Sequence, residues 1–466
     1  MKRTLAILVC AVALVATACG ASGDDEVTEN EGETTTTVAA GDDASFGDLP
    51  SPCGDGDATV AEGEGPATDK LLLGVANDRS ADIRPGLNKE FWDTALAYEK
   101  WCNEQGGIQG LPIELVDLDG QVTNVEAAMT KACTEVFAMV GGGYAQDQLE
   151  FSGKDGSDFH KCGLIDIPAF AVSIEKSLSN GKIEPLPNPA NKQSTQWVTD
   201  FKAQYPEESE KMVVVYGELP SMLTVKAQFD AAAESEGITL GDPISYPIIG
   251  ADDWGPYADL VIDSGAMSLY WIGEPSNAAN LSQKLNEKGW GGVVLHQTNT
   301  YDDVLFSFGD EGVDGSVIRT AFHPFEEADD WPAVAQFQEM LGAIPDAKIA
   351  ALGVQAMSAW LLFSVAADEC ADANDGLIDR ECILEQAAAV DDWTAGGLHV
   401  PTDPGSGNPP ECGMLLLVTD GGFERLYPEV GGEGDDQNGF SCPEGSIVDV
   451  DVSELGEGKV DPDRPN

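Results

Sequence analysis

The sequence predicts an α/β chain built as two doubly wound parallel-sheet lobes. Three observations carry this reading. Short apolar runs recur as buried strands, the first being Leu71-Leu-Leu-Gly-Val75. Segments with an apolar stripe at helical spacing alternate with them. Helix after helix is closed by a glycine shortly before the next strand, at Gly106, Gly237, Gly265 and Gly289.

In chain order, the first unit runs from Leu71–Val75 through a helix over 88–104 to the strand Ile113–Asp117. Trp92, Ala95, Leu96, Glu99 and Lys100 lie on that helix, which has one apolar stripe. Gly106 and Gly107 stop it, because glycine takes a left-handed cap without strain. Gly110 and Pro112 then turn the chain into the next strand. A strand, a helix and a strand so connected form a βαβ unit, which implies parallel pairing. Phe137–Val140 and Ala169–Val172 continue the sheet, with helices expected over 123–135, 146–162 and 194–204.

A second series repeats the grammar. Its strands are Met212–Tyr216, Ile244–Ile248, Ser268–Ile272 and Gly292–His296. Its helices are Ser221–Glu236, Pro256–Ser264 and Ala278–Lys288. A third portion follows: a crossing strand Val317–Ala321, helices Trp331–Leu341, Ile349–Ala367 and Cys382–Val390, and a β-hairpin from Gly413 past Gly421 and Gly422. Ile349–Ala367 is apolar enough to be a buried core helix.

Charge narrows the function classes. The 466 residues hold 24 Lys and Arg against 82 Asp and Glu, a net charge of −58. Such a surface has no basic footprint for nucleic acid. It also gives no charge attraction to anionic lipid headgroups. Residues 1–18 read as an export signal: Lys2 and Arg3, an apolar run Leu5–Val15, then Ala16-Thr17-Ala18 before Cys19. Small residues directly before a cysteine resemble a bacterial lipobox, which makes Cys19 a lipidation site and places the chain on the extracytoplasmic side of the cell membrane. Residues 19–68 read as an acidic tether with too little apolar surface to pack over most of its length. Residues 443–466 read as a disordered acidic tail.

Setting Cys10 and Cys19 aside leaves Cys53, Cys102, Cys133, Cys162, Cys370, Cys382, Cys412 and Cys442. An even set in an exported chain reads as disulfides, and spacing leaves 105 connectivities open. The expected pairs are Cys370 with Cys382, Cys412 with Cys442, Cys133 with Cys162, and Cys53 with Cys102.

Catalytic and metal motifs are absent. There is no Gly-x-Ser-x-Gly elbow and no glycine-rich phosphate loop. His160, His296, His323 and His399 are dispersed. A calcium loop with Gly376 at its sixth position would put Ala371 and Ala373 where oxygen ligands are required. No metal, no cofactor and no enzymatic activity are expected. What remains is a rim. In wound sheets ligands sit beyond the carboxyl ends of strands. Gly141-Gly142-Gly143-Tyr144 and Ser173 fall there in one lobe. Tyr216–Ser221, Ile272–Ser276 and Gln297–Tyr301 fall there in the other.

The run Glu99-Lys-Trp-Cys-Asn103-Glu-Gln-Gly106-Gly107-Ile108-Gln-Gly110-Leu-Pro-Ile-Glu-Leu is similar to the Asn-x-x-Gly-Gly-Ile-x-Gly joint of the type 1 periplasmic solute-binding proteins of ABC transporters, the leucine/isoleucine/valine-binding group. Asp253-Trp254-Gly-Pro256-Tyr257 through Ser264-Gly265-Ala266 resembles the family's second-lobe stretch. The resemblance spans about Asp69 to Phe423, and the lipobox matches actinobacterial members. It implies two lobes joined by three crossovers, with N-lobe portions 69–190 and 319–375 and C-lobe portions 191–318 and 376–442. It implies capture of a small polar solute, an amino acid or amide, in the cleft, and a membrane permease as partner. A receptor on the same fold that signals without transport is the alternative. Carried over, Gly143, Tyr144, Ala145, Val172 and Ser173 would hold an α-carboxylate. Ser221, Glu274, Pro275, Thr298 and Tyr301 would line the opposite side, and an amine would fall to Glu274 or Asp302.

Overall fold

The computed structural model describes residues 44–151, 158–247, 249–419 and 421–463. The expected signal segment, Cys19 and the tether up to residue 43 lie outside the described residues. In the N-lobe, the strands Leu71–Asn77, Ile113–Asp119, Ala138–Val140 and Asp166–Ile167 pair in parallel. Numbered along the chain, their spatial order is 2-1-3-4. The C-lobe repeats it. Thr239–Leu240 and Ile244–Tyr246 pair on one side of Lys211–Gly217. Ser268–Ile272, Val293–His296 and Val317–Thr320 follow on the other. The hairpin Met414–Thr419 and Gly422–Tyr427 extends that edge antiparallel. Ser268–Ile272 is buried along its whole length, which is why it reads as a continuous apolar run rather than an alternating one.

The joint after the helix Lys89–Glu104 shows why its residue types are needed. The Asn103 carboxamide accepts from the Ile113 N–H and donates to the Ile113 carbonyl, both at 2.8 Å. One side chain therefore clamps the helix end onto the incoming strand. Gly107 and Gly110 have φ of 87° and 84°. A Cβ would stand 2.2 Å from the Leu111 carbonyl oxygen at Gly107, and 2.0 Å from that of Gly56 at Gly110. Both positions therefore require glycine.

The helix Ala351–Ala373 is long and apolar enough to span a membrane by length and composition, yet most of its residues are buried. It packs at the centre of the N-lobe, where Trp360 stacks on Tyr98 at 5.4 Å between ring centres. All four expected disulfides are formed: Cys53–Cys102, Cys133–Cys162, Cys370–Cys382 and Cys412–Cys442.

Several expectations are corrected. The fourth N-lobe strand is Asp166–Ile167, and residues 169–172 run beyond the sheet as loop. The expected helix over 146–162 is the 3-10 turn Asp147–Phe151 in its described first part. Residues 44–68 are not a tether. Phe46 is buried, the Gly47 N–H donates to the Gln336 carboxamide oxygen at 2.9 Å, and Thr59–Val60 pairs with Leu377–Ile378. The return to the C-lobe does not fall at 375/376. The helix Arg380–Ala388 stays on the N-lobe because Arg380 donates to the carbonyls of Phe137 and Gly163 at 2.7 and 3.0 Å. The final segment is ordered: Ile447–Asp449 pairs antiparallel with Lys192–Ser194, and Val450 and Val452 are buried beyond it.

Candidate functional site

A cavity of about 240 Å³ lies between the lobes at the carboxyl ends of both sheets. All three connecting segments border it, through Gln193 and Ser194, Ala321 and Phe322, and Pro409 and Pro410. Its apolar wall is made by Phe170, Trp197, Met222, Val225 and Leu352. Carboxamides supply much of its polar lining, among them Asn88, Asn188, Gln228, Asn299 and Gln355. Arg319 and Glu274 are its only charged residues among the described residues.

Five lining residues carry buried polar atoms with no hydrogen-bond partner among the described residues: Asn88 Nδ2, Ser194 Oγ, Trp197 Nε1, Asn299 Oδ1 and Gln355 Oε1. Leaving a buried donor or acceptor unsatisfied costs about 1–3 kcal/mol each. They are spread over the N-lobe, the C-lobe and a connecting segment. A solute that satisfies them therefore touches both lobes at once.

The residues expected to form the site divide into two groups. Ala145, Val172, Ser221, Glu274 and Thr298 border the cavity. Ser221 Oγ also donates across the cleft to the Ala145 carbonyl at 3.3 Å. Gly143, Tyr144, Ser173, Pro275 and Tyr301 do not border it. Tyr144 points into the lobe and donates to the Leu118 carbonyl at 2.9 Å. Ser173 caps a helical turn by accepting from the Lys176 N–H at 3.1 Å. Tyr301 donates to a Glu326 carboxylate oxygen at 2.5 Å. The Gly143 N–H is taken by the Ala76 carbonyl, and Pro275 opens a helix for which Glu274 is the N-cap. Asp302, the other candidate for an amine, is paired with Lys348 at 2.7 Å.

The loops expected to hold an α-carboxylate are filled by the protein's own carboxylates. Asp78 accepts from the N–H groups of Ala145 at 2.7 Å and Val122 at 2.6 Å. Asp147 accepts from Val172 at 2.7 Å and Ser173 at 3.0 Å. These are the donors a ligand carboxylate would need. Glu274 is likewise engaged, with Arg84 3.3 Å away across the cleft. Burial raises its carboxyl, and Arg84 partly offsets that.

Burial pushes the Asp78 carboxyl up to about 6 from 3.8, against the lowering effect of its two backbone donors. A folded-state value above the unfolded one favours the folded state in acid. That contribution is full below pH 3.8 and is lost as pH rises through about 6. Its size is about 3 kcal/mol at roughly 1.4 kcal/mol per unit. Denaturant midpoints should therefore rise between pH 7.5 and pH 5, and Asp78→Asn should remove about 1.4 kcal/mol of that rise, the part gained within roughly one pH unit below the folded value. Parallel profiles for wild type and variant would show that Asp78 does not titrate there.

A family model for periplasmic binding proteins matches residues 71–422. Comparison with curated protein sequences gives no match. Several solved structures share the fold at low identity. A leucine-binding protein from Thermotoga maritima superposes with a TM-score of 0.62 at 16% identity, covering 77% of this chain and 98% of its own. A fatty acid ABC transporter substrate-binding protein from Thermomonospora curvata gives 0.65 at 17%, covering 82% and 97%. A solute-binding protein of an ABC transporter from R. palustris, in complex with 4-hydroxybenzoate, gives 0.63 at 16%, covering 78% and 96%.

Proposed function

The chain belongs to the periplasmic binding protein family, and we propose that it is the extracytoplasmic solute-binding component of an ABC importer. It captures a small organic solute by closing two lobes and presents it to a membrane permease. The observation that supports this most is the set of unpartnered buried polar atoms contributed to one cavity from both lobes. A solute satisfying them stabilises the closed arrangement by its differential contacts, which is how binding shifts a two-state equilibrium. No bond is made or broken. Residues 1–18 act as an export signal, and Cys19 carries the lipid that holds the protein at the membrane.

The neighbours' names span an amino acid, fatty acids and an aromatic acid, so fold alone does not select among solutes. The amino-acid reading is the weaker one for this cavity. The N–H groups of Ala145, Val172 and Ser173 are already hydrogen-bonded to Asp78 and Asp147.

The test is a thermal-shift screen of the full chain against amino acids, amides, aromatic acids and fatty acids, followed by recovery of the bound compound. One chemical class should raise the melting temperature, and the compound should come back unaltered. A solute recovered as a different molecule, or a panel without any shift, would contradict the reading.

A further inference from the structure

We propose that the solute is a monoanionic carboxylate with an apolar body, and that its charged end sits on Arg319. The inference rests on the solute-capturing reading of the cleft and names the substrate class. It begins with a mismatch of charge. In a chain of net charge −58, the cation bordering the cavity has no carboxylate within ion-pair distance among the described residues. Arg319 Nε donates to the Tyr270 hydroxyl at 3.1 Å. The guanidinium carbon lies 4.8 Å over the Trp197 ring. These two contacts fix the plane of the guanidinium. Its two terminal nitrogens keep no hydrogen bond among the described residues. A planar fork held in this way is suited to a carboxylate, which it can meet with two parallel hydrogen bonds.

The surroundings favour the same sign of charge. Three helices begin at the cavity wall: Gln196–Gln204 through Gln196 and Trp197, Pro220–Ser235 through Ser221 and Met222, and Ala351–Ala373 through Leu352. Each presents the positive end of its dipole there. The acid at the cavity, Glu274, is held by Arg84.

The charge count also argues against an α-amino acid. A zwitterion needs an acid for its ammonium group and N–H donors for its carboxylate. Glu274 is paired with Arg84, and Asp302 with Lys348. The donors on the N-lobe loops are bound to Asp78 and Asp147. Arg319 is the remaining charged group, so one negative charge on the solute balances the site. The apolar part of the solute meets Phe170, Trp197, Met222, Val225 and Leu352, and a polar substituent on that body would reach the unpartnered Asn299 and Gln355 oxygens. A cavity of about 240 Å³ exceeds the roughly 150 Å³ that holds a benzene ring. One ring or a medium alkyl chain with a short acid arm fits that size.

The test uses three molecules with one body: 3-phenylpropanoate, 3-phenylpropanamide and L-phenylalanine. Binding is measured by calorimetry on the full chain, with Arg319→Met and Arg319→Lys as variants. The carboxylate should bind at least about tenfold more tightly than the neutral amide or the zwitterion, as charge-assisted hydrogen bonds exceed neutral ones. Arg319→Met should weaken the carboxylate by about 10- to 100-fold and leave the amide nearly unchanged. Arg319→Lys keeps the charge and should recover part of the loss, which separates a lost anion contact from a misfolded lobe. Equal or tighter binding of the amide or of L-phenylalanine would overturn the inference, as would a carboxylate affinity indifferent to Arg319→Met. In both cases the solute-binding reading stands. Silence from all three probes also overturns the inference, and the broader reading falls only if the wider solute panel is silent too.

Discussion

Replacing Asp147 with alanine is expected to destabilise the protein by about 3–5 kcal/mol and to make its stability respond to formate. Asp147 is fully buried, and its two oxygens accept from Val172 and Ser173. Burial raises its carboxyl, and Lys176 partly offsets that. Alanine leaves both N–H groups without a partner and opens a space the size of a carboxylate. Formate fits that space and supplies the same two oxygens. Because it would bind the folded variant selectively, it should raise the variant's melting temperature in proportion to the logarithm of its concentration. Wild type should not respond. A loss below about 1 kcal/mol, the scale of an ordinary surface change, together with no formate effect, would mean that these loops do not depend on an internal carboxylate.

The second large effect is expected at Lys176. This fully buried lysine lies 2.8 Å from a carboxylate oxygen of Glu150 and 2.8 Å from one of Asp166. Burial opposes its charge, but Asp166, Glu150 and Asp147 outweigh burial and keep it protonated. Burial also raises Glu150, with Lys176 opposing and Asp166 adding to the rise. Lys176→Met leaves three buried acids facing one another. The expected loss is about 3–5 kcal/mol at pH 7.5. The sign of its pH dependence is fixed. Without the cation, the folded-state value of Glu150 rises further above its unfolded value. The stability tied to such groups is present in acid and lost as pH rises. The deficit should therefore shrink toward pH 5. A deficit that is equal at both pH values would show that the lysine acts by packing alone. Because Lys176 lies one turn from Ser173 and beside Asp147, the same variant should also weaken solute binding by loosening the loop that carries Val172.

The winding of both lobes was legible because it rests on local signals. Glycine-closed helices and continuous apolar strands mark Ser268–Ile272 and its neighbours without any knowledge of tertiary contacts. The Asn103 to Gly110 joint was legible for the same reason, since its clamp and its strained turns lie within eleven residues, from Asn103 to Ile113. The lining of the cavity was only half legible. Five of the ten expected residues border the cavity, and the other five do not because the direction of each side chain depends on what packs behind it. Tyr144 turns inward to the Leu118 carbonyl, a partner 26 residues away in the chain. The roles of Asp78 and Asp147 were missed because their acceptor function is defined by loops at Ala145 and Val172. Arg319 did leave a signal, a lone cation inside the apolar strand Val317–Thr320. The last segment left one too. Val448, Val450 and Val452 alternate with acids at strand spacing, and the acidic composition masked a pattern that packs Val450 and Val452 into the fold.

The most direct test is a crystal structure of the protein grown with 3-phenylpropanoate. The account predicts the molecule between the lobes, its carboxylate on the Arg319 guanidinium and its ring against Trp197 and Phe170, with Asp78 and Asp147 still bound to the N–H groups of Ala145 and Val172. A carboxylate seated on those N–H groups, with Asp78 and Asp147 displaced, would contradict it, as would a solute bound outside the cleft.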